Sequence, residues 1–205
     1  MQKYDPVSSS IAESEEFAVA TTESDVEAEV IFDDVFNSVI GVNNVVALGG
    51  TGVFGGAGNN DPGGELVGTA THVDSIRCFK TTITHLNATA YFPVRIVIDF
   101  GAGCVGRDGR TRKGKIVTEY SNRLMVPQAI ATTTFIDYFI NNIKVEGTHK
   151  ISNRSTQDKR IFHVMIINSK LSNPAGDYSE WNSEKSFAQI EGIGTPNTHR
   201  MMFSL

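Results

Sequence analysis

The sequence predicts a mainly β protein: an antiparallel meander forming a curved sheet, half-barrel or sandwich, with one N-terminal amphipathic helix packed on it. Two observations lead there. Between Val94 and Asn153 short apolar strands alternate with turn clusters at Gly101-Ala102-Gly103, Arg107-Asp108-Gly109-Arg110, Asn141-Asn142 and Glu146-Gly147. Only one stretch, residues 24–41, carries strong helical periodicity, so crossover βαβ units are not expected and neighbouring strands should pair antiparallel.

The 205 residues fit one compact domain plus an N-terminal extension. Residues 1–23 are rich in Ser, Thr and Glu and bury too little to order themselves, so they read as a flexible tether. The opening Met1-Gln2-Lys3-Tyr4-Asp5-Pro6, followed by Ser8-Ser9-Ser10, has the character of the polar segment just after a lipoprotein cleavage site. On that reading Met1 stands where the lipid-bearing cysteine would be. From Ser24 the pattern changes. Ser24 and Glu27 have capping-box spacing, and Ala28, Ile31, Phe32, Val35, Phe36, Val39 and Ile40 recur at three- and four-residue steps up to Gly41. This predicts a helix whose acidic first turns suit the dipole and whose apolar stripe needs a sheet to cover it.

Residues 42–75 form a Gly-rich connector. They lack the Gly-x-x-x-x-Gly-Lys-Ser/Thr spacing that cradles phosphate. Residues 76–205 read as the antiparallel β-domain, forming one folded unit with the helix. Its strands are expected at Thr81–Leu86, Val94–Phe100, Lys115–Tyr120 and Thr132–Ile140. The segment from Ile143 to Ile151 alternates as a half-buried strand should. Asn141-Asn142 can take the left-handed angles of a two-residue hairpin turn. Ile161–Leu171 is apolar on both parities, as a strand covered on both faces would be. Tyr178, Trp181, Phe187 and Ile190 mark a final, less regular pair of strands.

Charge is uneven along the chain. The net −5 divides into ten acidic side chains against Lys3 in residues 1–40 and a mildly basic remainder. No dense basic run with interleaved aromatics suggests nucleic acid, and no apolar run of about 18 residues spans a bilayer. Five positive charges, Arg107, Arg110, Arg112, Lys113 and Lys115, gather in what reads as one loop. They are candidates to contact an anionic glycan, a lipid head group or an acidic partner such as the 1–40 arm, unless the loop is a solvated hairpin tip.

Cys78 and Cys104 are the only cysteines. A hairpin symmetric about Tyr91 sets them opposite one another, at disulfide distance. That register places Phe79 and Ile83 on the face opposite Val94, Ile96, Ile98 and Phe100, a conflict that a bulge at Gly101 or Gly103 would remove. A disulfide and two buried thiols both remain open. The five histidines, 72, 85, 149, 163 and 199, are scattered without metal-ligand spacing, so no metal or cofactor is expected. Asp99, Asp108, Asp137 and Asp177 are the carboxylates that could pair as general acid and base, but three lie in or beside turns, where Asp bonds local backbone.

The segments Val97-Ile98-Asp99-Phe100-Gly101, Asp108-Gly109-Arg110-Thr111-Arg112-Lys113-Gly114-Lys115-Ile116 and Asn142-Ile143-Lys144-Val145-Glu146-Gly147-Thr148 resemble those of a group of uncharacterised envelope lipoproteins of the Bacteroidota. The helix pattern Glu27-Ala28-Glu29 … Ile31-Phe32-Asp33-Asp34-Val35-Phe36 is similar to theirs, and the likeness covers about residues 25–192. It implies a secreted β-rich protein with an N-terminal lipid anchor, located in the outer membrane, periplasm or extracellular space. Asp74-Ser75-Ile76 fits the short pattern at which such bacteria O-glycosylate exported proteins, marking Ser75. The expected role is a non-enzymatic structural or binding component whose partner is an envelope protein or glycan. A carrier of a lipid or other apolar ligand is the alternative, and a glycan-active enzyme the second.

Overall fold

The computed structural model describes residues 7–43, 45–48, 53, 71–73, 78–106, 108–191 and 202–204. One helix, α1 (Val7–Gly41), precedes ten strands: β1 (Thr71–Val73), β2 (Lys80–His85), β3 (Val94–Asp99), β4 (Cys104–Val105), β5 (Thr111–Tyr120), β6 (Ile130–Ile140), β7 (Ile143–Asn153), β8 (Ile161–Ser172), β9 (Tyr178–Glu191) and β10 (Met202–Ser204). All pair antiparallel in one sheet of order β1-β2-β3-β5-β6-β7-β8-β9-β10, with β4 alongside β5. The sheet is curved and unclosed, and the helix packs against it.

All seven apolar residues of the expected helical stripe, Ala28 to Ile40, are buried, none more than 6% exposed. Each fully buried Val, Ile or Phe side chain contributes roughly 1.5–3 kcal/mol relative to exposure. Phe32 stacks on Trp181 of β9 and meets Phe135 of β6 edge-on, while Phe36 stacks on Phe187 at 4.7 Å. The helix end is also fixed. Tyr120 of β5 donates its hydroxyl to the Val39 carbonyl (2.8 Å), one of the last-turn acceptors that have no partner within a helix. The Leu48 N–H bonds the Ile40 carbonyl, and the Leu124 N–H bonds the Val46 carbonyl.

The expected tether at residues 7–23 is corrected: these residues are helical. No Gly or Pro interrupts the chain between Pro6 and Gly41. Once a docked segment has nucleated the helix, each further turn is inexpensive. Ser24 and Glu27 are therefore mid-helix rather than a capping box, and the first turn holds no acidic residue. Met1–Pro6 of that tether and most of the Gly-rich connector lie outside the described residues. The connector's expected end at residue 75 falls beyond β1, a strand too short to leave a pattern.

The β2–β3 ladder also differs from the expected one. Thr81 faces Ile98, not Gly101, so Ile83 and Ile96 are direct partners on the same buried face. Phe79 reaches Phe100 at 5.5 Å on that side. No bulge is needed. The chain turns at Gly101 (φ 60°) and enters β4, which brings Cys104 to Cys78; the two are joined in a disulfide with Cα atoms 5.3 Å apart.

Asn141 and Asn142 both have positive φ in the β6–β7 turn, as expected. A bulge in β6 opposite Gly114 inserts Asp137 (φ 44°). Phe135 and Tyr138, three residues apart, thereby face the same side and stack at 5.6 Å. Gly114, at φ 80°, is fixed by this close approach, because a Cβ there would run into the Asp137 carbonyl. β8 is buried through Phe162, Val164, Ile166 and Leu171, whereas Met165 and Ile167 on its other parity are only half-buried. The expectation of cover on both faces is thus met on one. The expected final pair of strands is one strand, β9, and the irregularity lies in β8, where Asn168 (φ 51°) shifts the register.

Candidate functional site

Several buried polar groups, Asp34, Arg112 and His149 among them, lie where the helix packs on the curved sheet. At one flank stands Arg112 of β5, 2% exposed. Its Nε and Nη2 donate to the two oxygens of Asp34 on α1 (3.1 and 2.6 Å), and its Nη1 and Nη2 donate to Asp108 in the β4–β5 turn (3.1 and 2.6 Å). Arg110 adds a longer contact to Asp34. Burial acts to lower the Arg112 pKa, but the hydrogen bonds to Asp108 and Asp34 outweigh it and hold the guanidinium above its usual value. Arg112 in turn keeps the Asp108 carboxyl below the usual range. Burial raises the Tyr138 phenol, which lies beside this group.

At the other flank Lys185 of β9 donates to Glu29 (2.5 Å) and lies 3.8 Å from Asp33, so it bridges successive turns of α1. Burial, with Glu29 alongside, raises the Asp33 carboxyl despite the opposing pull of Lys185. Between the flanks, under Phe32 and Phe36, His149 of β7 is fully buried. Its ring lies nearly parallel to Phe32 and edge-on to Phe36, both at 6.4 Å. Neither ring nitrogen has a hydrogen-bond partner. Burial alone pushes its pKa down to about 3, so the imidazole is neutral inside the fold.

The cluster of basic residues is therefore not an exposed loop. Arg112, Lys113 and Lys115 belong to β5. Arg112 is engaged internally, Lys113 lies over the Phe139 ring at 4.8 Å and Lys115 pairs with Asp99 at 3.1 Å. Arg110, one-third exposed, contacts Asp34 and Asp108. Arg107 and Ser75 lie outside the described residues. The acidic residues singled out as turn formers behave locally: Asp99 accepts the Gly101 N–H, Asp108 that of Arg110, and Asp177 bonds the Asn173 side chain. The sequence did not single out Asp34. Nine acidic residues and no basic one lie on α1, and nothing local marks which of them meets an arginine 78 positions away.

Four of the five guanidinium N–H directions of Arg112 end on carboxylates, and the two carboxylates are compensated by the same cation. Such a group fastens the helix to the sheet. It is not built like a general acid and base, which need one carboxyl kept protonated. Among the described residues no group of three His, Cys, Asp or Glu could hold a metal ion, and no helix is long and apolar enough to cross a membrane. Comparison with protein-family models, curated proteins and solved structures finds no significant match to this chain.

Breaking a buried ion pair by removing one partner leaves an uncompensated charge, at a cost of about 3–5 kcal/mol. Asp34→Asn is expected to lower the free energy of urea unfolding by that amount. The double change Asp34→Leu with Arg112→Met, which removes both charges, is expected to cost less than the single one.

His149 gives a second prediction. The unfolded chain takes up a proton near the ordinary histidine pKa of about 6.5, and the folded chain does not until about 3. Stability is therefore fully present above pH 6.5 and is lost as pH falls, by about 1.4 kcal/mol per pH unit at the steepest. His149→Phe keeps a ring between Phe32 and Phe36, and unfolding followed between pH 6.5 and 5 should show a shallower decline in the variant than in the wild type.

Proposed function

We propose that this protein is a non-enzymatic component of the cell envelope with a structural or binding role, exported and lipid-anchored at its N-terminus, and that it does not carry an apolar ligand in its sheet. The observation that supports this most is the occupation of the concave face. A curved sheet that carries a lipid needs its concave side for the ligand. Here α1 lies there, its stripe buried from Ala28 to Ile40 and fastened at both flanks by Arg112 and Lys185. The disulfide between Cys78 and Cys104 supports an oxidising compartment, since such bridges persist mainly in exported proteins. The binding surface then lies on the outside, on strands whose outer parities carry Thr, Ser, Lys and Glu, with an envelope protein or glycan as the partner.

The test is native mass spectrometry of the chain expressed with an export signal and an N-terminal anchor cysteine, gently extracted from the envelope. The expected species carries the covalent anchor and one disulfide, either bare or bound to protein or glycan. A non-covalent adduct of lipid mass on the folded chain would instead establish the carrier.

A further inference from the structure

The sheet ends unevenly. β9 runs from Tyr178 to Glu191, yet along its outer edge β10 pairs only with Ala188, Gln189 and Glu191. Among the described residues the rest of that edge, Tyr178 to Phe187, lies against no strand. Alternate backbone N–H and C=O groups there point outward without a ladder partner, which is a template for an added strand. Tyr178 is 60% exposed at its start, and Glu180, Asn182, Glu184 and Ser186 are exposed along its convex parity.

We propose that this edge pairs with the same edge of a second copy, antiparallel, about a two-fold axis through Ser183, so that two sheets continue as one. The register follows from symmetry, charge and length. A two-fold axis relating antiparallel edge strands stands normal to the sheet and keeps convex residues opposite convex ones, so it passes through a residue. An axis at Asn182 sets Glu180 against the second copy's Glu184, twice. An axis at Glu184 sets that carboxylate against itself and drives the incoming strand into the ground that β10 holds. Like charges directly opposite one another destabilise a ladder, so both are disfavoured. An axis at Asp- or Glu-free Ser183 meets neither obstacle, and its ladder runs from Ser179 to Phe187, stopping just short of β10.

In that register Asn182 faces the second copy's Glu184, Trp181 faces its Lys185 and Glu180 faces its Ser186. The Asn182 carbonyl already accepts the Asn168 N–H at 2.7 Å, which leaves its NH2 group to donate to the facing carboxylate. Lys185 already lies 5.9 Å from the Trp181 ring of its own chain, so a second indole on its other side extends a contact it is placed to make. An isologous pair is also the commonest closed assembly, and it sets the two β9 edges against each other. The inference stands apart from the envelope role: failure of either leaves the other intact.

The test uses one cysteine per chain. Cys78 and Cys104 are bridged, so Ser183→Cys places a single free thiol on the axis, opposite its own copy. Ser186→Cys is the control, since position 186 faces Glu180 and not itself. Under mild oxidation Ser183→Cys is expected to give a covalent dimer, and Ser186→Cys little. Equal yields from the two variants, or no dimer from the first, would overturn the proposal. Sedimentation equilibrium supplies a second readout without new thiols. Ser186→Glu, which creates two like-charge pairs, should weaken self-association by about tenfold, and Ser186→Lys should strengthen it. A wild-type chain that stays monomeric at millimolar concentration would also overturn the proposal.

Discussion

An open, curved sheet of antiparallel strands has one apolar face it cannot cover by itself, and the burial of α1 against that face is the constraint from which the rest of this protein follows. The stripe from Ala28 to Ile40 supplies the apolar cover. Burial is non-directional, however, and would tolerate a helix rotated or slid along its axis. The polar contacts remove that freedom. Arg112 holds Asp34 at one flank, Lys185 holds Glu29 at the other, and Tyr120 holds the Val39 carbonyl near the helix end. Three contacts from two strands, β5 at both its ends and β9, thus fix rotation, lateral position and axial register. A buried ion pair of this kind contributes little net stability, but it is costly to mismatch, which is how it serves specificity.

The irregularities of the strands serve the same interface. The bulge at Asp137 turns Tyr138 and Ile140 back to the concave side after Phe135, and Gly114 is the residue that lets β5 lie against it. The shift at Asn168 lets β8 return Leu171 to the buried face beyond Ile166. The turn at Gly101 places β4, with Cys104 bridged to Cys78, ahead of the Asp108 turn that closes over Arg112. His149 is the cost of this arrangement. It lies beneath the helix with both nitrogens unpaired, so it couples the interface to pH without taking part in any bond.

Much of this was legible in the sequence where the signal is local. The helical stripe, the Asn141-Asn142 turn and the alternation that put Val145, His149 and Ile151 on one face each rest on spacing within a few residues. What depended on distant partners was not legible. Asp34 is indistinguishable in sequence from the other acids of α1, and the run around Arg112 reads as a solvated loop until β6 and the helix are laid beside it. Residues 7–23 looked like a tether because their composition buries little, whereas their helicity is inherited from the docked segment that follows. The β2–β3 register differs for a related reason: symmetry about Tyr91 follows from the loop alone, while the ladder obeys the pairing of Ile83 with Ile96.

The most direct measurement of the central claim is native-state amide hydrogen exchange, comparing residues 28–41 of α1 with the core strands β6 and β7. If the helix is integral to the fold, its amides open only with global unfolding, and their exchange free energies match those of the strands. Exchange of residues 28–41 at much lower free energy while β6 and β7 remain protected would contradict the account, because the sheet would then be stable without the helix that covers it.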